Sequence, residues 1–292
     1  MPSLKEVKSR ITSVISTQQI TKAMKMVAAA KLRKSQDRIL QFRPFAQQLS
    51  YLLKNLSSAS QDGVEWYNAA RPERKILIVM VSSDRGLCGG FNSYVMKTAT
   101  RLMLEDYSEQ RKAGNVTVLP IGKKAYEYAT KRNIKHIDKF WSLLGQLTFE
   151  RVTEVAEWIM EAFKKGEYDK VVIVYNEFKN VATQILRTEQ FLPIALPKDA
   201  RKGKDVDYIY QPNRDEIISG LIPKSLKVQL FKSVIDSVAA ENGARMTAMD
   251  KATENAGELL KDLKLTYNRT RQAAITKEIL EIVAGAEALK SA

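Results

Sequence analysis

Cysteine and histidine are almost missing from this chain of 292 residues, which contains one of each, Cys88 and His136. A single cysteine cannot form an internal disulfide, and a reducing compartment suits such a chain. One histidine excludes histidine-rich metal sites and argues against a histidine-based catalytic triad. No apolar run approaches the roughly 20 residues that span a bilayer. These absences favour an ordinary soluble protein that lacks metal or thiol chemistry and is not inserted in a membrane.

Acidic residues are scarce in the first sixty positions. The whole chain carries a net charge of +14. Residues 1–60 hold eleven lysines or arginines but only Glu6 and Asp37 as acids, so most of the excess lies there. A solvated basic face, nucleic acid, an anionic membrane and an acidic protein partner all remain open as explanations. Aromatic residues do not alternate with the basic ones before Phe42, which weakens the case for single-stranded nucleic acid.

Glycine is absent from the first sixty residues, and proline is scarce at both ends of the chain. The first glycine is Gly63, and Pro44 is the only proline between Pro2 and Pro72. No proline follows Pro223. Both terminal segments are therefore predicted to be helices far longer than the usual 11 or 12 residues. Pro44 is expected to bend the first helix without ending it.

Apolar residues recur at alternating spacings of three and four in both terminal segments, which is typical of helices packed along one seam. The stripes are Leu4, Val7, Ile11, Val14, Ile39, Phe42, Ala46, Leu49, Leu53 and Leu56 at one end, and Arg245, Met249, Ala252, Ala256, Leu259, Leu263, Ile275, Ile279, Ile282, Ala286 and Leu289 at the other. Gln18, Thr21 and Lys25 interrupt the first stripe. The two helices are predicted to form an antiparallel coiled coil.

Alignment of the two chain ends gives a specific expectation for the register of this coiled coil. The stripe from Ile275 to Leu289 should pack against the stripe from Leu4 to Val14. An aspartate at Ile279 would then bury a charge in the seam.

The middle of the chain alternates between strand-like and helix-like segments. Continuous apolar runs at 75–83, 116–122 and 170–178 have the character of buried strands. Such alternation predicts a doubly wound, Rossmann-like α/β domain with a mainly parallel sheet, and 183–193 is expected to be an edge strand or hairpin arm. The predicted organisation is an N-terminal helix at 1–60, a central α/β domain at 72–210 and a C-terminal helix at 212–290, the two helices forming one discontinuous coiled-coil domain.

A glycine-rich turn, SDRGLCGGFN at 83–92, follows the first predicted strand and opens a helix. Nucleotide phosphates often bind at such a position. The turn matches neither the dinucleotide-binding nor the P-loop pattern, and Asp84, Arg85 and Cys88 have no histidine or second cysteine beside them. We therefore expect the glycines to serve a tight turn, with no catalytic residue, cofactor or metal in the chain.

Four segments resemble the gamma subunit of F-type ATP synthases. They are ITSVISTQQITKAMKMVAAAKLRKSQ (11–36), SDRGLCGGFN (83–92), ENGARMTAMDKATENAGELLKDL (241–263) and YNRTRQAAITKEILEIVAGAEAL (267–289). The order and spacing of these motifs fit the family from one end of the chain to the other.

The resemblance implies a non-catalytic rotor shaft that couples proton flow to ATP synthesis or hydrolysis. Its implied partners are the alpha and beta subunits of the catalytic hexamer, the epsilon subunit and the membrane ring of c subunits. Lys22 and Met24 match positions that pass an acidic lever loop of beta. The residues implied to make contacts with the hexamer or within the shaft are Lys22, Met24, Arg85, Arg245, Arg271, Gln272, Thr276 and Glu278.

The location implied by the resemblance is the cytoplasmic face of a bacterial inner membrane, where the chain would be peripheral. The start of the sequence lacks a transit peptide, which favours a bacterial chain and leaves a processed organellar chain as the alternative. Two other functions stay open: a basic coiled-coil scaffold that binds nucleic acid, and a nucleotide-dependent enzyme that uses the 83–92 turn.

Overall fold

The computed structural model describes residues 3–57, 67, 71–194 and 214–290. In chain order, a very long helix comes first (α1) and another comes last (α6), and a domain in which strands and helices alternate lies between them in the sequence. The helices are α1 Leu4–Ser57, α2 Phe91–Leu104, α3 Ser108–Lys112, α4 Lys123–Lys131, α5 Phe149–Lys164 and α6 Arg214–Lys290, with a short 3-10 helix at Leu143–Gln146. The strands are β1 Ile76–Val81, β2 Val116–Ile121, β3 Lys170–Phe178 and β4 Gln184–Leu192. The predicted boundary at 210–212 lies outside the described residues.

The four strands form one sheet in the order β2-β1-β3-β4. Strand β1 pairs in parallel with β2, where Ile76 is opposite Val116, and in parallel with β3, where Ile76 is opposite Lys170. Strand β4 is antiparallel to β3 and lies at the edge. The prediction of a mainly parallel sheet with an edge strand at 183–193 is therefore confirmed.

Helices cover both faces of this sheet, which is why its central strands are apolar throughout. On one face Leu77, Val79 and Val81 of β1 pack with α5 and with the part of α6 that carries Leu226 and Leu230. On the other face the alternate β1 residues pack with α2 and α4. This two-sided burial confirms the doubly wound α/β architecture.

Backbone contacts divide the chain into two units. The smaller unit is Met1–Val27 with Met246–Ala292, and the larger is Ala28–Arg245. Helices α1 and α6 contribute to both, so each unit contains its own stretch of paired helix.

In the smaller unit, one face of α1 is buried along a seam with a spacing of three and four residues. The residues on this seam are Leu4, Val7, Ile11, Val14, Gln18, Thr21 and Lys25, all buried or half-buried. The opposing residues of α6 repeat at similar intervals: Met249, Ala252, Thr253, Ala256, Leu260, Leu263 and Tyr267. The predicted seam is confirmed, except that Leu260 is half-buried where Leu259 was expected, and Leu259 is 49% exposed.

The register of this helix pair differs from the expected alignment of the chain ends. Lys25 of α1 pairs with Asp250 of α6. Counting 21 residues in opposite directions from that pair brings Leu4 level with Arg271. Beyond residue 271, α6 is exposed through residue 287 apart from half-buried Ala274. The expectation that Ile275 to Leu289 pack against the start of α1 is therefore wrong for the described part of that stripe.

In the larger unit, the second half of α1 continues the same spacing through Ala28, Leu32 and Ser35, all of which are buried. Further along, the ring of Phe42 packs edge-on against Phe231 of α6, with 5.0 Å between ring centroids. Pro44 lies inside α1, which continues past it as predicted. The side chains of Leu53, Leu56 and Leu289 lie outside the described residues.

Candidate functional site

A layer of polar side chains crosses the seam of the smaller unit. Thr21 Oγ1 and Thr253 Oγ1 lie 2.8 Å apart and share a hydrogen bond, and Gln18 Nε2 donates to the Thr253 carbonyl at 3.4 Å. At the edge of the layer, the Lys25 ammonium donates to the Asp250 carboxylate. These are the residues whose polarity interrupts the apolar stripe in the sequence. Sequence reasoning missed their partners, Thr253 and Asp250, because they lie beside the apolar positions Ala252 and Met249.

Close approach of the two helices allows these short side chains to meet. A Cβ atom on Gly257 would lie 3.0 Å from Gln18 Nε2, which is tighter than an ordinary contact. Glycine therefore leaves room for the glutamine amide next to the threonine pair. A polar layer whose members bond each other favours one register, because a shift along the seam would leave buried polar groups without partners.

This register predicts a specific cross-link. In a chain with Cys88 replaced by serine, cysteines at Thr21 and Thr253 are expected to form a disulfide readily, because their hydroxyls are 2.8 Å apart. A control pair at Val14 and Ile275, which the alignment of chain ends would bring together, should stay reduced. Oxidation followed by non-reducing electrophoresis measures both. Efficient cross-linking of the control pair with none at Thr21 and Thr253 would contradict the register.

The outer surface of α1 near the polar layer combines basic and apolar side chains. Lys22 is exposed and Met24 is half-buried, while Ile20, Met26 and Val27 are exposed hydrophobic residues. A helix that buries one seam and still exposes large apolar side chains elsewhere has surface available for a protein partner.

The C-terminal part of α6 carries four of the residues singled out from the sequence. Arg271, Gln272, Thr276 and Glu278 are all exposed. The Thr276 hydroxyl donates to the Gln272 carbonyl one turn earlier, at 2.9 Å. Exposed isoleucines, including Ile282, share this segment. The segment therefore presents polar and apolar groups outward, without a seam against α1.

The glycine-rich turn at 83–92 is closed by its own side chains. Ser83 N donates to Asn92 Oδ1 at 3.0 Å, and Asn92 Nδ2 donates to Ser83 Oγ at 2.7 Å. Cys88 is buried beneath them, and that burial raises the pKa of its thiol. Exposed Leu87 has a positive φ of 63°, an unusual conformation for a branched residue. The prediction that these residues serve a tight turn agrees with the hydrogen bonds.

Arg245 and Arg85, between which the sequence predicted no contact, meet at this turn. The Arg245 guanidinium donates to the carbonyl oxygens of Arg85 at 3.1 Å and Gly86 at 3.3 Å. It also pairs with Glu241 one turn earlier on α6. Burial raises the pKa of Glu241, and the Arg245 charge opposes that rise. Arg245 thus anchors the turn to α6, while the Arg85 side chain remains exposed.

Comparison with known proteins identifies the chain. The family model described as ATP synthase matches residues 3–289. The chain is 55% identical over 295 residues to the ATP synthase gamma chain of Cytophaga hutchinsonii, covering 100% of both chains. The chain belongs to the ATP synthase gamma family. The gamma chain of Flavobacterium johnsoniae is 51% identical over 290 residues, which cover 99% of each chain.

Chains in solved ATP synthase structures have a similar fold. The central stalk and c-ring structure of the Tetrahymena thermophila mitochondrial ATP synthase contains a chain with a TM-score of 0.59 and 25% identity. That match covers 80% of this chain and 99% of the other. A chain of the Euglena gracilis mitochondrial enzyme has a TM-score of 0.67 at 22% identity, covering 98% and 94%. Among the described helices of this gamma-family member, none is long and apolar enough to cross a membrane.

Proposed function

We propose that this gamma-family chain is the rotating central shaft of an ATP synthase and carries no active site of its own. Rotation would couple proton flow through the membrane sector to ATP synthesis or hydrolysis in a hexamer of alpha and beta subunits. The observation that carries the proposal is the helix pair of the smaller unit. It buries a narrow seam, is held at one register by a polar layer, and leaves charged and apolar side chains facing outward.

The coupling mechanism depends on the mismatch between one shaft and a three-fold ring of catalytic subunits. The shaft presents a different face to each catalytic subunit, so the three nucleotide sites differ in affinity for nucleotide at any moment. Turning the shaft changes which conformation each site favours, and this differential free energy drives nucleotide binding and release. One proton crossing 100 mV provides only about 2.3 kcal/mol, so several must act for each ATP. A fixed register lets the helix pair transmit that accumulated work without sliding.

The partner contacts follow from the exposed residues. Lys22 and Met24 would face an acidic lever loop of a beta subunit, while Arg271, Gln272, Thr276 and Glu278 would meet the surrounding hexamer near the end of α6. Arg85 would reach outward from the turn that Arg245 anchors. The α/β domain would face the epsilon subunit and the c-ring, at the cytoplasmic side of a bacterial inner membrane. No comparison favours a nucleic-acid scaffold over this function.

Rotation can be observed directly. Lys112 is exposed on α3, so a cysteine there, in a chain with Cys88 replaced by serine, can carry a magnetic bead. The complex assembled with its alpha and beta subunits is immobilised through the hexamer and supplied with ATP. We expect rotation in one direction with pauses at three angles. A bead that stays still while ATP is hydrolysed would refute the proposal that this chain rotates as a shaft. Stoichiometric nucleotide binding by the isolated chain would refute the absence of an active site.

Met24→Lys tests the contact with the beta subunit. A new ammonium beside an acidic loop adds an attraction of up to about 4 kcal/mol before desolvation, which is enough to hold the shaft at one angle. We expect proton pumping per ATP hydrolysed to fall severalfold while assembly stays intact, as measured in reconstituted vesicles. Met24→Leu keeps the volume without the charge and should behave as the wild type. Wild-type coupling in Met24→Lys would exclude this contact.

A further inference from the structure

A cavity of about 560 Å³ lies within the larger unit, between α1, α6 and the β3–β4 hairpin. Ile39 and Phe42 of α1 form part of one wall, and Val228 and Ile235 of α6 form part of another. None of the residues that line the cavity is among the individual residues proposed above to contact other subunits. Its size admits a small organic molecule, and its walls offer that molecule an apolar surface on two sides.

A carboxylate in the lining, that of Asp236, has cations near it but no hydrogen-bond donor among the described side chains. Asp236 is only 4% exposed and lines the cavity. Among the described residues, none donates a hydrogen bond to its side chain. Among the described residues, the buried side-chain oxygen or nitrogen atoms without a hydrogen-bond partner are Thr153 Oγ1 and Ser237 Oγ, so the Asp236 oxygens are reached from the cavity. The Asp236 carboxylate therefore has unused capacity to accept hydrogen bonds from a bound molecule.

The other acids of the lining already have partners. Glu177 accepts from Arg187 Nε at 2.7 Å, and Glu189 accepts from the Tyr175 hydroxyl at 2.6 Å. Within the described residues, no group of three or more acidic, cysteine or histidine side chains is placed to hold a metal ion. A bound organic ammonium group would complement the Asp236 carboxylate.

Two cations also line the cavity and have capacity for an anion. Lys232 precedes Asp236 by one helical turn, so the two side chains share a face of α6. Arg43 reaches the same cavity from α1. Both are exposed, and neither forms an ion pair within 4.0 Å among the described side chains. An acidic group and two basic groups that line one cavity match a compact zwitterion.

We propose that this cavity binds a small zwitterion of the α-amino-acid class with an apolar side chain. Its ammonium group donates to the Asp236 carboxylate, its carboxylate lies toward Lys232 and Arg43, and its side chain packs against Ile39, Phe42 and Val228. Charge-assisted hydrogen bonds fix the orientation, and the apolar walls add affinity. The site does not depend on rotation, so it stands or falls independently of the shaft function.

Three probe molecules that differ only in their charged groups separate the contribution of the ammonium group to binding from that of the carboxylate group. Phenylalanine carries both charges, phenethylammonium lacks the carboxylate, and 3-phenylpropanoate lacks the ammonium, while all three share one aromatic body. Titration calorimetry on the full-length chain is expected to rank phenylalanine first, with about tenfold weaker binding for phenethylammonium and weaker binding still for 3-phenylpropanoate. Equal affinities for all three, or no phenylalanine binding at millimolar concentration, would overturn the proposal.

Substitutions inside and outside the cavity test whether the proposed lining residues bind phenylalanine. Asp236→Asn is expected to weaken phenylalanine binding about tenfold or more, and Val228→Trp to abolish it by filling the cavity while Asp236 remains. Asp262→Asn removes an exposed carboxylate from the same helix and should leave binding unchanged. Circular dichroism shows whether each variant is folded. Wild-type affinity in either cavity variant would refute the assignment, as would an equal loss in Asp262→Asn.

Discussion

Replacing Val7 with aspartate is expected to unfold the helix pair of the smaller unit while the α/β domain stays folded. Val7 is 2% exposed in the seam. A carboxylate there would lose its hydration in an apolar seam, so the cost is about 3–5 kcal/mol. Circular dichroism of the isolated chain should show less helix, and assembly with alpha and beta subunits should fail.

Ile279→Asp is the matched control for this experiment. The register places Ile279 beyond the end of α1, where it is 54% exposed. The same substitution there should change the unfolding free energy of the isolated chain by no more than about 0.5 kcal/mol. Alignment of the chain ends would instead make Ile279→Asp strongly destabilising. Similar losses of helix in the two variants would show that the register is wrong.

Asp236→Asn is expected to stabilise the larger unit at pH 8 and to have little effect at pH 4. Burial raises the pKa of Asp236 from 3.8 to about 6; Glu177 and Glu189 add to the rise, while Lys232 and Arg43 oppose it. A raised carboxyl pKa means that the ionised form destabilises the fold. Stability is therefore lost as pH rises through 6 and regained as pH falls toward 4. The gain at pH 8 is at most about 3 kcal/mol.

Chemical denaturation at several pH values measures this difference. Asp262→Asn again serves as the control, because Asp262 is exposed on the same helix, and it should leave the unfolding free energy within about 0.5 kcal/mol at every pH. A destabilised Asp236→Asn chain at pH 8 would show instead that the ionised carboxylate forms a stabilising contact. That outcome would remove the basis for an unused hydrogen-bonding group in the cavity.

Local sequence features were sufficient to predict the elements of this fold. The absence of glycine near the start of the chain and the scarcity of proline at both ends determined two long helices. The three-and-four spacing determined which face of α1 would be buried. Continuous apolar runs determined the three parallel strands, because strands covered by helices on both faces need apolar residues throughout. The motifs were also enough to place the chain in its family. Each of these sequence features can be recognised within a short segment of the chain.

Tertiary structure alone decided the register of the helix pair. Any apolar stripe can pack against another at several offsets with nearly equal burial, so the stripes left the alignment open. Polar groups select one of these offsets, because only there do Thr21 and Thr253 share a hydrogen bond while Lys25 forms an ion pair with Asp250. Those partners are more than 220 residues apart in the chain and have no common motif. The exposure of Ile279 follows from this choice.

The cavity and the anchored turn were likewise decided by packing between distant segments. Asp236 is buried because α1, α6 and the β3–β4 hairpin converge on it, although its neighbours in the sequence give no sign of this. Arg245 reaches the carbonyl oxygens of a turn 160 residues earlier. The sequence by itself determined the helices, the strands and the family, because each depends on local pattern. The tertiary structure decided register, burial of charge and the cavity, because these depend on which distant polar groups satisfy one another.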